Sequence, residues 1–90
     1  MKRLKITVIG LVQGVSYRYF CHRKATEYGI KGWVRNLYNG NVELEIEGES
    51  GIVNDFIKEL KVGPVSSRVK NVMVVEKEFK GDFKNFEIKL

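Results

Sequence analysis

Val42, Leu44 and Ile46 alternate without interruption with Glu43, Glu45 and Glu47. A period of two puts the apolar side chains on one face of a strand and the carboxylates on the other, so this segment lies over a core on one side only. Asn39-Gly40 stands just before it. Both residues tolerate positive φ, so the strand is entered through a hairpin turn from the apolar stretch Ile30 to Leu37. Strict alternation reads the three glutamates as the solvated face of a half-buried strand, rather than as paired carboxylates for acid–base work or cation binding.

The remaining elements fall into place around this hairpin. Leu4, Ile6 and Val8 alternate with Lys5 and Thr7 and predict a first strand. Tyr17, Cys21, Ala25 and Tyr28 recur at helical spacing with Phe20 beside them, and Gly29 stops that helix. Ser50 is placed to cap a second helix with the stripe Ile52, Val53, Phe56, Ile57 and Leu60, which Gly63-Pro64 ends. Val69 to Val75 predicts a fourth strand. Phe86, Ile88 and Leu90, alternating with Glu87 and Lys89, predict a short last one. The order β-α-β-β-α-β plus a terminal strand is that of a ferredoxin-like α+β fold. It predicts an antiparallel sheet with two helices on one face and a more open second face. A chain of 90 residues, 43% hydrophobic, supports one core, and residues 1–90 read as a single domain.

The fold alone settles no function. The formal net charge of +5 favours anionic partners without choosing among them. Cys21 is the only cysteine and cannot form an internal disulfide. Met1-Lys2-Arg3 precedes a short strand interrupted by Lys5, which is not the pattern of a secretion leader, and no apolar run reaches membrane-spanning length. These features predict a cytoplasmic protein with no membrane partner. Charged residues make up 30% of the chain while Gln13 is the only glutamine and Ala25 the only alanine, a balance that leans towards a thermostable protein. Lys58, Lys61, Arg68 and Lys70 read as surface charges.

Two segments carry chemistry. In Gly10-Leu11-Val12-Gln13-Gly14-Val15-Ser16-Tyr17-Arg18 an apolar strand runs into a glycine-punctuated turn, and an arginine follows where a helix begins. Such a turn points several backbone N–H groups one way, and the helix N-terminus adds partial positive charge. Arg18 adds a planar fork of donors suited to phosphate oxygens. The plainer reading is a common strand-to-helix turn with an exposed arginine. The stretch has neither the Gly-Lys-Ser/Thr ending of a Walker loop nor the spacing of a dinucleotide fingerprint. In the second segment, Asn36 closes Trp33-Val34-Arg35-Asn36. Its amide can hold a water in a set orientation but cannot deprotonate it, and its plainer reading is a turn residue ahead of Asn39-Gly40. His22, the only histidine, shares a stripe with Arg18 and Thr26 and reads as solvated. Cys21 sits on the apolar stripe as a packed thiol. No His/Cys cluster has metal-ligand spacing.

Gly10 to Arg18 resembles the first signature of the acylphosphatase family. Gly32-Trp33-Val34-Arg35-Asn36, continuing through Gly40, Val42 and Gly48, resembles the second. The likeness spans the whole chain. It implies a small ferredoxin-like enzyme that hydrolyses carboxylic–phosphoric anhydrides to a carboxylate and inorganic phosphate. The backbone of Gln13, Gly14, Val15, Ser16, Tyr17 and Arg18 would bind the phosphate, Arg18 would clamp it, and Asn36 would position the attacking water. No metal or cofactor is implied. The one departure is Tyr17, where phenylalanine is usual, and its phenol is expected close to the cradle.

The implied partner is a small acyl phosphate, with the protein a monomer or weak homodimer. One alternative is a nucleic-acid-binding module; Glu43, Glu45 and Glu47 would repel phosphates from the open face, so no nucleic-acid partner is expected. The other is a regulatory module that binds acyl or carbamoyl phosphate inside a larger protein. A last strand that reads as complete favours the free-standing enzyme.

Overall fold

The computed structural model describes residues 1–89. The elements are β1 (Lys2–Leu11), α1 (Val15–Tyr28), β2 (Lys31–Asn36), β3 (Val42–Gly48), α2 (Ser50–Val62), β4 (Arg68–Lys77) and β5 (Phe86–Ile88). Leu90, assigned above to the last strand, lies outside the described residues. The sheet order is β4-β1-β3-β2-β5. The two helices pack on this sheet around one buried cluster, the expected ferredoxin-like α+β fold. The sheet is mixed rather than purely antiparallel, because β5 runs parallel to β2. The chain crosses the sheet between β4 and β5 and so returns in the direction of β2.

β3 is the central strand, and Val42, Leu44 and Ile46 are completely buried beneath the helices. Its register is fixed on both sides: Val42 lies opposite Val8 of β1 and opposite Asn36 of β2. The C-terminal ends of β1 and β2 therefore emerge side by side. From α1, Tyr17, Phe20, Cys21 and Ala25 enter the core; from α2, Val53, Phe56 and Leu60 do. Ile57 packs at the margin, and Ile52 lies largely outside the stripe assigned to it. Ser50 does not cap α2. The first turn closes with Val53 N–H donating to the Glu49 carbonyl at 2.8 Å, so Ser50 is already inside the helix and Glu49 holds the cap position. Among the described residues no helix is long and apolar enough to cross a membrane.

The glutamates of β3 are not a solvated face. Glu43 is 6% exposed and Glu47 4%. Arg3 Nε donates to Glu45 Oε2 at 2.7 Å, and Arg3 Nη1 donates to Glu47 Oε2 at 2.9 Å and to Asp82 Oδ1 at 3.0 Å. Glu43 accepts from Arg35 Nε at 2.8 Å and pairs with Lys5 Nζ at 3.2 Å. The segment between β4 and β5 covers the cluster: Phe83 stacks on the Arg3 guanidinium at 4.3 Å, and Lys80 and Gly81 donate backbone N–H groups to Glu47. Alternation on β1 and β2 delivers Arg3, Lys5 and Arg35 to the same face as the carboxylates, which is why that face is neutralised rather than acidic. The repulsion expected there against a nucleic acid is correspondingly smaller.

Burial works to raise the Glu47 carboxyl, but the donors from Lys80, Arg3 and Gly81 outweigh it and hold its pKa below the ordinary 4.5. Glu43 is held down against its own burial by Arg35 and Lys5. A carboxylate with a lower pKa in the folded state stabilises the fold above its unfolded pKa and loses that contribution as pH falls through the folded value. The thermal midpoint is therefore expected to drop as the pH is lowered below about 4.5, and to drop less in Glu47→Gln. Arg3→Ala removes the guanidinium shared by Glu45, Glu47 and Asp82 and is expected to lower unfolding free energy at neutral pH by about 3 kcal/mol in urea titration.

Candidate active site

β1 loses regular pairing where it leaves the sheet. Its register with β4 shifts between Ile9 and Gly10, and a Cβ on Gly10 would overlap the Arg68 carbonyl oxygen. Beyond Leu11 the chain buries Val12 and then turns at Gly14, whose φ of 87° and ψ of −169° belong to a region open essentially to glycine alone. α1 starts at the next residue with no side-chain cap and no acidic residue in its first turn. The first N–H groups of a helix have no helical carbonyl four residues back, so those of Val15, Ser16 and Tyr17 are left without intrahelical partners at the positive end of the helix dipole. Gln13, Gly14, Val15 and Ser16 are exposed.

Arg18 and Asn36 meet at this turn. Arg18 Nε donates to the Gly14 carbonyl at 3.1 Å, a bond that leaves the two terminal nitrogens as further donors. Among the described residues Arg18 forms no ion pair. Asn36, on the helix-covered face at the end of β2, reaches the same carbonyl with Nδ2 at 3.5 Å. Its Oδ1 is buried and has no donor among the described residues. A cleft of about 640 Å³ opens here, lined by Gln13, Arg35, Asn36, Leu37 and Tyr38. A second recess of about 150 Å³ is lined by Val15, Arg18, Tyr19 and Ile88.

The turn is tethered to its surroundings. Gln13 Nε2 donates to the Leu37 carbonyl at 3.3 Å, and Ser16 Oγ lies 3.3 Å from Ser66 Oγ in the loop after α2. The Tyr17 phenol is not at the cradle. It points into the core and donates to the Leu60 carbonyl of α2 at 2.8 Å, and burial pushes its pKa up. Tyr17 thus offers the cradle its backbone N–H alone. Its hydroxyl turned inward because its helical position matches Cys21 and Ala25, and a buried phenol requires a partner there.

The other titratable candidates stand apart. Burial pushes the Cys21 thiol up, away from nucleophilic use. His22 is half-buried rather than solvated, its ring edge-on to Phe86 at 6.0 Å. Among the described residues no three His, Cys, Asp or Glu side chains gather as a metal-ligand set. Ser66, Tyr19 and Ile88 border the site without having been singled out in the sequence. Tyr19 carried a signal, as an aromatic beside Arg18 and off the apolar stripe; Ser66 and Ile88 reach the site only through tertiary packing. The assembled groups can bind a compact oxyanion by backbone N–H groups and a guanidinium, with the Asn36 amide beside them.

Comparisons with known proteins bear on the family and the fold. The Acylphosphatase family model matches residues 4–88. An acylphosphatase from Chlorobaculum tepidum is 42% identical over 87 residues, covering 97% of this chain and 95% of its own. The crystal structure of acylphosphatase from Bacillus subtilis superposes with a TM-score of 0.95 at 33% identity, covering 100% of both chains. T. kodakarensis HypF matches with a TM-score of 0.85 at 32% identity, covering 100% of this chain and 12% of that much longer one.

Gly14→Ala places a Cβ at a φ of 87°, although the space around it is open. The variant is expected to lose about 1–3 kcal/mol of stability, or to relax the turn and misalign the N–H groups. Denaturant titration measures the first outcome, and weakened binding of inorganic phosphate in calorimetry the second.

Proposed function

The chain belongs to the acylphosphatase family, hydrolases acting on acid anhydrides, and on that premise we propose how its residues divide the work. The substrate phosphoryl group lies against the N–H groups of residues 13–18, with the terminal nitrogens of Arg18 on its oxygens. Asn36 Oδ1 accepts a hydrogen bond from the attacking water. The observation that supports this most directly is that Oδ1 is buried without a partner while Nδ2 of the same amide is tied to the cradle. A buried acceptor left without a donor costs about 1–3 kcal/mol, and a turn of the amide that bares Oδ1 to the adjoining cleft lets a water supply that donor.

In the reaction the water oxygen bonds to phosphorus, and the bond from phosphorus to the acyl oxygen breaks. The carboxylate leaves with the bonding pair. The water proton passes to a phosphoryl oxygen, because Asn36 cannot take it. The leaving group is stable as an anion and needs no acid. The transition state is loose, with charge spread over the equatorial oxygens, so Arg18 and the loop N–H groups lower the barrier by fixed electrostatics and alignment. No step in this scheme requires a metal or cofactor, and activity is expected to survive chelators.

Phosphate release from acetyl or benzoyl phosphate tests the scheme. Asn36→Ala is expected to lower kcat by about 10²–10³-fold with little change in KM, a loss of the size seen when one preorganised polar group is removed. Arg18→Ala is expected to damage both constants. Arg18→Lys is expected to fail nearly as badly, because a point charge cannot replace the planar fork. Full turnover in Asn36→Ala would overturn the water-holding role. A chain that binds phosphate but releases none from either substrate would instead be a binding module.

A further inference from the structure

We propose that the recess formed by Val15, Tyr19 and Ile88 receives the acyl group of the substrate, and that it is built for an uncharged, apolar acyl group no larger than one aromatic ring. The proposal rests on the acyl-phosphate reading above and extends it to the half of the substrate that the two signatures leave unassigned.

Position is the first argument. The recess opens directly beside Arg18, which contributes to its wall. It shares no lining residue with the larger cleft, which holds Asn36. In a phosphoryl transfer the attacking and leaving oxygens lie roughly in line through phosphorus. With the water held at Asn36 in one recess, the leaving carboxylate is directed away from that recess. The space beside Arg18 is the second one at the cradle.

Chemistry is the second. Apart from Arg18, whose donors face the phosphate, the walls are two aliphatic side chains and a tyrosine ring. Val15 and Tyr19 are 60% and 62% exposed, although they sit one turn apart at the start of a helix whose neighbouring face packs into the core. Apolar side chains held in water at the mouth of a phosphate cradle gain when an apolar acyl group covers them. An acyl group bearing a second phosphate meets no further cation among these walls.

Size is the third. The recess measures about 150 Å³, and an apolar space of that order holds a benzene ring. A benzoyl group fits it, and an acetyl group leaves most of it unfilled.

The experiment compares kcat/KM for benzoyl and acetyl phosphate in the full chain and in Tyr19→Ala, Ile88→Val and Tyr38→Ala. Circular dichroism confirms folding of each. Tyr19 is mainly exposed, so its removal spares the core, and Ile88→Val is a second, milder probe of the same wall. Tyr19→Ala is expected to lower the benzoyl-to-acetyl ratio about tenfold, and Ile88→Val to lower it less. Tyr38 lines the cleft that holds Asn36, and its replacement is expected to leave the ratio at the wild-type value. An active enzyme whose ratio ignores both Tyr19 and Ile88, or follows Tyr38, overturns the pocket alone. A wild-type chain that hydrolyses neither substrate overturns the functional reading, and the pocket with it.

Discussion

The register of β3 against both of its neighbours sets the geometry of the site. Val42 faces Val8 on one side and Asn36 on the other, so two parallel strands end together at the start of the strand between them. From one of those ends the chain turns into α1, and at the other stands Asn36. The burial of Val42, Leu44 and Ile46 holds this alignment, because a slip of one residue would turn all three towards the salt-bridged face and bring the glutamates into the core. The distance between the glycine turn that opens α1 and the amide beside it is thus decided by hydrophobic packing some way from either.

What the cradle adds is rigidity at three points. Gln13 ties the turn to the residue after β2, Ser16 meets Ser66 after α2, and Tyr17 anchors the first turn of α1 to the last turn of α2 from beneath. Each tether runs to a different part of the chain. Donors fixed in this way need little reorganisation when charge develops on a ligand, and that is the condition under which electrostatic stabilisation is most effective. The exposed upper side of the turn is left to N–H groups, which any residue supplies. Conformation is the demand there, and Gly14 meets it.

Much of this was legible in the chain. The alternation of β3, the Asn39-Gly40 hairpin and the two amphipathic stripes gave the element order, and the two glycine-bearing signatures located Arg18 and Asn36. The glutamates were misread for a physical reason. A period of two tells which face a residue occupies, but not what lies above that face. The covering segment around Lys80 to Phe83 has no periodicity to announce it, and its contacts with Arg3 and Glu47 span sequence separations of 80 and 33 or more residues respectively. The parallel pairing of β5 was hidden similarly, since a three-residue strand does not encode its direction. The inward turn of Tyr17 was, by contrast, implicit in its place on the buried stripe.

The sparse chemistry of the cradle also bears on what it would discriminate. On the proposed mechanism the phosphoryl group meets amides, a guanidinium and a carboxamide, and none of these can protonate a departing oxygen. An acyl oxygen leaves as a carboxylate, whose conjugate acid has a pKa of about 4, like that of an aspartic acid. An alkyl oxygen leaves as an alkoxide, whose conjugate acid is about as weak as water, so it needs an acid or a metal ion to depart at a comparable rate. A site that stabilises the phosphoryl group alone therefore accelerates the anhydride and leaves a phosphate ester nearly untouched, although both present the same phosphate to the same donors. Selection between them lies in the leaving group's own acidity. The cradle enforces it by lacking an acid, and the small apolar recess beside Arg18 would then choose among acyl groups.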